Sequence, residues 1–208
     1  QDFFNIFLKA HVQHLILFIQ NYYFGFMMAL FLTLWYCTQL SWNFKKRISS
    51  FLDFTIVSIL SGITSLIMIY PTLLDLRTHG ANFTKITRTF TENSWYLDVF
   101  AKNLIGSFDT TKYGAIPMIY VGLFPFLLAF LFFFVKSIRF HVKLAYLTLL
   151  VILIASFYLQ ALDLFWQGMH APNMFLHRYA WLFSLTILFM AAEVLNRIKE
   201  INWQLLCL

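Results

Sequence analysis

Three stretches of this chain, Phe54 to Leu74, Ala115 to Val135 and Leu144 to Leu162, contain no Asp, Glu, Lys or Arg. Each has close to the ~20 residues that a helix rising ~1.5 Å per residue needs to cross ~30 Å of hydrocarbon. Inside lipid a backbone can satisfy its own polar groups only as a helix or a closed barrel, so these runs read as spanning helices. Tyr22 to Trp42 and Tyr179 to Leu195 complete a set of five, the last with Glu193 near its end. Composition agrees: 61% of residues are hydrophobic and 12% charged, against roughly 25% charged in soluble domains. The expected fold class is all-α, a polytopic transmembrane helical bundle with extracytoplasmic loops and a candidate interfacial helix.

Residues 1–20 carry Lys9, His11 and His14 in an otherwise apolar segment, which suits an interfacial helix or a truncated one. A chain that begins with Gln reads as part of a longer product, and residues 1–20 as a remnant of missing sequence. Residues 21–196 form the expected five-span region and 197–208 a cytoplasmic end. Lys45, Lys46 and Arg47, then Lys136, Arg139 and Lys143, then Arg197 and Lys199 mark three cytoplasmic loops. The connections 75–114 and 163–178 alternate with them and are expected outside. The longer one should hold ordered structure. Apolar residues between Asn93 and Leu104 recur at roughly helical spacing, as in an amphipathic helix lying at the interface or packed on its neighbours.

Several function classes are set aside on the same ground. The formal charge of +6 sits in short loops beside apolar helices rather than on a soluble face, which argues against nucleic acid. No GxxxxGK[ST] loop occurs to cradle a nucleotide. Cys37 and Cys207 suggest no disulfide framework, and the spacing of His170 and His177 is not a recurrent metal-ligand pattern. No cofactor is evident, and nothing in the chain specifies a divalent ion.

The unusual chemistry gathers in QGMHAPNMFLHRYAWLFS, residues 167–184. Arg178, directly before an apolar run, can bind a phosphate bidentately or serve as a snorkelling anchor. His170 and His177 can bridge to that phosphate, carry protons, or sit as satisfied interfacial histidines. Pro172 keeps Ala171 out of the helix and breaks the chain before the fifth span. Asp163 can hold Arg178 or His170 in place, or be a solvated charge at a helix end. Asp109, between Gly106 and Gly114, reads as a turn residue. Ser156 and Ser184 lie in apolar helices, where hydroxyls bond to backbone, and no nucleophilic triad is apparent.

The segments NYYFGFMMALF, YPTLLDL, KNLIGSFDTTKYGAIPMIYVG and SFYLQALDLFWQGMHAPNMFLHRYAWLFS resemble, in order and separation, YfhO-type bacterial membrane proteins. The resemblance runs from Asn21 to Leu195 and is most specific in the last segment, through Trp166, Gly168, Pro172, Arg178 and Ser184. It implies membership of the C-type glycosyltransferase superfamily, multi-span enzymes that take a sugar from a polyprenyl-phosphate carrier at the outer face. It further implies a bacterial cell-membrane location, membrane lipids as neighbours, and a teichoic-acid-like or other envelope polymer as acceptor. In that superfamily a carboxylate near the first outer loop removes the acceptor's proton and basic residues hold the carrier phosphate. Asp2 and Arg178 are the positions expected to take those roles, with His177, His170, Asn21, Tyr22, Lys102 and Trp166 as further substrate-binding residues. Met118 stands where the family has Asn after Pro117, a departure expected to alter a loop contact, and family members are longer. The competing readings are a transporter or flippase of a lipid-linked glycan, which calls for polar residues at the midplane of several spans, and a structural subunit.

Overall fold

The computed structural model describes residues 16, 19–40, 44–79, 84–91, 97–106, 119–170 and 176–198. Among them the regular secondary structure is helical, apart from an isolated antiparallel bridge between Phe90 and Leu159. The all-α class expected from sequence is therefore the observed one. The chain divides into two units, Gln1–Lys85 with Leu164–Ala171, and Ile86–Asp163 with Pro172–Leu208.

The first unit contains α1 (Tyr22–Leu40) and α2 (Phe44–His79), which pack on each other. Asn21 starts α1: its Oδ1 accepts from the Tyr23 and Phe24 amides at 3.1 and 3.3 Å, supplying partners that a first helical turn lacks. Met27 and Phe31 are buried on α1, and Val57, Ser61 and Ser65 make a buried row one turn apart on α2. Small residues in such a row allow helices to approach closely in membranes. Tyr36 stacks on Phe54 at 4.8 Å between ring centroids. On α2, Leu52, Ile56, Ile59, Leu60, Ile63 and Leu66 are exposed, which suits contact with lipid rather than water. Two threonine hydroxyls are satisfied within the helices: Thr33 Oγ1 donates to the Ala29 carbonyl at 2.7 Å and Thr55 Oγ1 to that of Phe51 at 2.8 Å.

The second unit contains α3 (Asp98–Ala101), α4 (Leu123–Leu131), α5 (Phe140–Tyr158) and α7 (Ala180–Asn196), with α7 packed against both α4 and α5. The short α6 (Gln160–Trp166) begins in this unit and runs into the first. Phe132, Leu149, Leu153, Phe157, Leu182 and Met190 are among the buried side chains of the second unit. Lys143, expected as a cytoplasmic anchor, turns its Nζ to the Phe133 carbonyl at 2.8 Å, supplying a donor just beyond the end of α4. Glu193 forms an ion pair one turn away with Arg197.

Of the described helices, α5 is both long and apolar enough to cross a bilayer; the apolar stretches Tyr23–Thr38, Phe51–Leu66 and Ala180–Asn196 are shorter. In the expected span Ala115 to Val135 the described helix is confined to Leu123–Leu131. Gly122, at φ 96° and ψ 146°, sets its start, in a region of backbone space open essentially to glycine alone. Gly122→Ala is expected to cost about 1–3 kcal/mol of stability, measured as a lowered thermal midpoint of the detergent-solubilised protein; an unchanged midpoint would show that the bend is not strained.

Candidate functional site

The site begins where α5 stops. Leu159 is extended, with φ −100° and ψ 117°, and bridges to Phe90. The stretch 87–91 is fastened to this corner: the Gln160 side-chain oxygen accepts from the Thr87 and Arg88 amides at 3.2 and 2.7 Å. The Thr91 hydroxyl donates to the Phe157 carbonyl at 2.8 Å. The Thr91 bond, with that of the Thr91 amide to the Tyr158 carbonyl at 2.9 Å, satisfies carbonyls that the helix end would leave unpaired. The chain then re-enters a helix, so that Asp163 falls in the first turn of α6.

Asp163 is buried, and its Oδ1 lies 2.7 Å from His177 Nδ1. The Tyr179 hydroxyl lies 2.6 Å from the Ser156 carbonyl, 3.0 Å from Asp163 Oδ1 and 3.2 Å from His177 Nδ1. A phenol has one hydrogen, so it is shared between the carbonyl and the carboxylate. Phe157 stacks on the Tyr179 ring at 5.6 Å and meets the His177 ring edge-on at 5.7 Å. Polar groups withdrawn from water stay folded only when bonded, and this cluster is bonded on each side. With Nδ1 committed to Asp163, Nε2 is the ring nitrogen through which His177 can meet a ligand.

His177 is 3% exposed and adopts φ +53°. A left-handed conformation is uncommon in a residue other than glycine and is held by its surroundings. Here the imidazole is drawn inward by Asp163 and the next backbone step carries Arg178 to the surface. Tyr179 then returns to the interior with no exposed area, and α7 begins. The order buried, exposed, buried over three residues gives Arg178 a mount fixed on both sides. The positive end of the α7 dipole adds its field to the guanidinium, which favours an anion at this end of the helix.

The other sequence-derived residues fall in different settings. In the second unit, Lys102 is buried beside Asn103. In the first unit, Trp166 is 1% exposed and packs edge-on against Phe165. His170 is exposed there, with Nδ1 3.0 Å from the Gly168 carbonyl. The turn that carries it is a Schellman motif: the Met169 amide donates to the Leu164 carbonyl at 2.7 Å and the Gly168 amide to that of Phe165 at 3.3 Å. Gly168, at φ +65°, occupies the left-handed position that such a helix ending requires. Asn21 caps α1, and Tyr22 is its first residue. Asp2, Asp109, Pro172 and Met118 lie outside the described residues, as does the side chain of Tyr22.

Sequence reading missed Tyr179, taken as the first residue of a span, and Gln160. The signal for Tyr179 was its place in H-R-Y, immediately after the two polar residues that drew attention. Gln160 has none that stands apart from its apolar surroundings. Ser156 and Ser184 behave as expected, donating to the Ile152 carbonyl at 2.7 Å and the Ile119 carbonyl at 3.4 Å.

In comparisons with known proteins, the family model described as bacterial membrane protein YfhO matches residues 11–208. No curated protein and no solved structure matches.

Proposed function

The chain belongs to the YfhO family of bacterial membrane proteins, and from that premise we propose that it is a membrane glycosyltransferase using a polyprenyl-phosphate-linked sugar. The five apolar segments cross the bilayer, and the charge pattern of the loops turns the segment bearing Arg178 to the outer face. The acceptor is an envelope polymer such as teichoic acid. A single observation carries the assignment of the phosphate site. Arg178 is exposed between two buried residues, His177 and Tyr179, whose side chains share the Asp163 carboxylate.

In the reaction, an acceptor hydroxyl attacks the anomeric carbon and the bond from that carbon to the phosphate oxygen breaks with inversion. The bonding electrons leave with the polyprenyl phosphate, whose growing negative charge Arg178 offsets through paired N–H donors. The hydroxyl proton passes to a carboxylate, for which Asp2 is the proposed base. Asp163 is a poor candidate for that part, because it is buried and its Oδ1 is already engaged by His177 and Tyr179. His177, His170, Lys102, Asn21, Tyr22 and Trp166 are further residues proposed to meet donor or acceptor, on the strength of the sequence motifs.

The test uses the full-length protein in liposomes, supplied with polyprenyl phosphate carrying a radiolabelled sugar and with a teichoic acid acceptor. Label is expected to enter the polymer. Movement of the labelled lipid between leaflets without transfer would replace this reading with that of a flippase, and neither event would remove both.

A further inference from the structure

The short segment that begins at Leu97 is amphipathic in the reverse of the usual sense. Its amides close helical turns from Leu97 to Leu104, with the Lys102 amide bonded to the Asp98 carbonyl at 2.8 Å and the Leu104 amide to that of Ala101 at 3.2 Å. Leu97, Phe100, Ala101, Leu104 and Ile105 follow the spacing i, i+3, i+4, i+7, i+8 of a core-facing stripe, yet all are exposed. The large ones are 52%, 66%, 58% and 75% accessible in that order. The opposite side carries Val99 together with the polar side chains Lys102 and Asn103, and these are 5%, 7% and 4% accessible. Asn103 Nδ2 is bonded to the Val99 carbonyl at 2.7 Å, while its Oδ1 is buried with no hydrogen-bond partner.

A segment surrounded by water would turn the other way, since burying polar groups while exposing large apolar ones is unfavourable on both counts. Around hydrocarbon the preference reverses. Apolar side chains then belong outside and polar ones are withdrawn to the protein, as in membrane helices generally. The Tyr158 hydroxyl meets the Val99 backbone, so the segment is tied to the end of α5, which among the described helices is both long and apolar enough to cross the bilayer. An element attached at the end of such a helix lies near the depth where headgroups give way to acyl chains.

We propose that residues 97–105 form a membrane-inserted element, seated in the acyl boundary of the bilayer through Leu97, Phe100, Leu104 and Ile105, with Lys102 and Asn103 on its protein side. Its partner is the lipid surface, not a second protein. The inference rests on the membrane assignment of the family and is independent of sugar transfer, so either can fail without the other.

The test uses the full-length protein with Cys37 and Cys207 replaced by serine, reconstituted in vesicles and carrying one nitroxide-labelled cysteine. Phe100→Cys and Ile105→Cys are compared with Val151→Cys, on the exposed apolar face of α5, and with Lys136→Cys, in the charged turn before it. Labels at residues 100 and 105 are expected to collide with oxygen more than with a water-soluble nickel chelate, as at residue 151 and opposite to residue 136. Preferential collision with nickel would overturn the proposal, and so would shielding from both reagents, which would mean that protein covers the stripe. A second measurement needs no variant: a phospholipid with a diazirine on its acyl chain, photolysed with the wild-type protein, is expected to leave adducts on Phe100, Leu104 or Ile105. Adducts on Ile56 or Ile63 of α2 with none on 97–105 would reject it.

Discussion

Replacing Arg178 with alanine is expected to slow sugar transfer about 100- to 1,000-fold, the usual cost of losing one preorganised donor to a charge that develops in the transition state. The phosphate is already negative in the donor, but the oxygen bonded to the sugar gains charge only as that bond breaks. A donor aimed at that oxygen lowers the barrier more than it tightens ground-state binding. The loss should therefore appear mainly in kcat, with a smaller rise in KM. Lysine at the same position is expected to recover part of the rate, since it restores the charge but not the planar fork that grips two oxygens. Because Arg178 is exposed, the alanine variant should fold with a stability change within about 0.5 kcal/mol. Single-turnover transfer in vesicles, with the thermal midpoint measured alongside, separates the two effects. Unchanged transfer in a normally folded alanine variant would reduce Arg178 to a snorkelling anchor.

The size of that effect depends on how firmly the guanidinium is aimed, which is a property of the backbone. His177 sits at φ +53°, a conformation that costs roughly 1–3 kcal/mol and persists only when the surroundings over-determine it. The Ala180 amide closes the turn onto the His177 carbonyl at 2.9 Å, so the strained residue leads directly into α7. Without the strain, the chain would leave His177 in another direction and carry Arg178 with it.

Much of this was legible in the sequence, and the boundary has physical causes. The charge-free runs identified where helices form because lipid permits a backbone few alternatives. They did not fix where those helices end: α5 stops at Tyr158 and restarts as α6 because Leu159 pairs with Phe90, a partner remote in sequence. Arg178 and His177 stood out as polar residues before an apolar run. Asp163 was weighed as a partner of Arg178 or His170, and its Oδ1 is engaged by His177 and Tyr179, neither of which was weighed for it. A 14-residue separation has no periodicity to reveal it. Gly168 read as a family motif residue and proves to end α6 in a left-handed conformation, a need that local chemistry imposes. The reversed polarity of residues 97–105 was out of reach, because spacing shows that a stripe exists but not which way it turns.

The second large effect is expected at Asp163, and it separates shape from charge. Two bonds to this carboxylate, from His177 at 2.7 Å and Tyr179 at 3.0 Å, go to Oδ1. Asp163→Asn keeps an acceptor there, so the inward pull on His177 should survive at reduced strength. Asp163→Ala removes it and strands buried donors, at a cost of about 1.5–3 kcal/mol for a hydrogen bond to a charged group. The alanine variant is expected to show a lowered thermal midpoint and a transfer rate approaching that of Arg178→Ala, although Arg178 itself is intact. The asparagine variant should hold most of the midpoint and an intermediate rate. Tyr179→Phe leaves the Ser156 carbonyl without its 2.6 Å donor and should fall between them, near 1 kcal/mol of lost stability. A nitroxide-labelled cysteine in place of Arg178, read by its spectral width, would report the aim directly: its spectrum is expected to be broad and immobilised, and to become narrow-lined and mobile only when Asp163→Ala is added. If the label moves equally in both backgrounds, the carboxylate holds the fold alone and does not position Arg178. If asparagine proves as damaging as alanine, the negative charge of Asp163, rather than the position of its Oδ1, is what steadies His177.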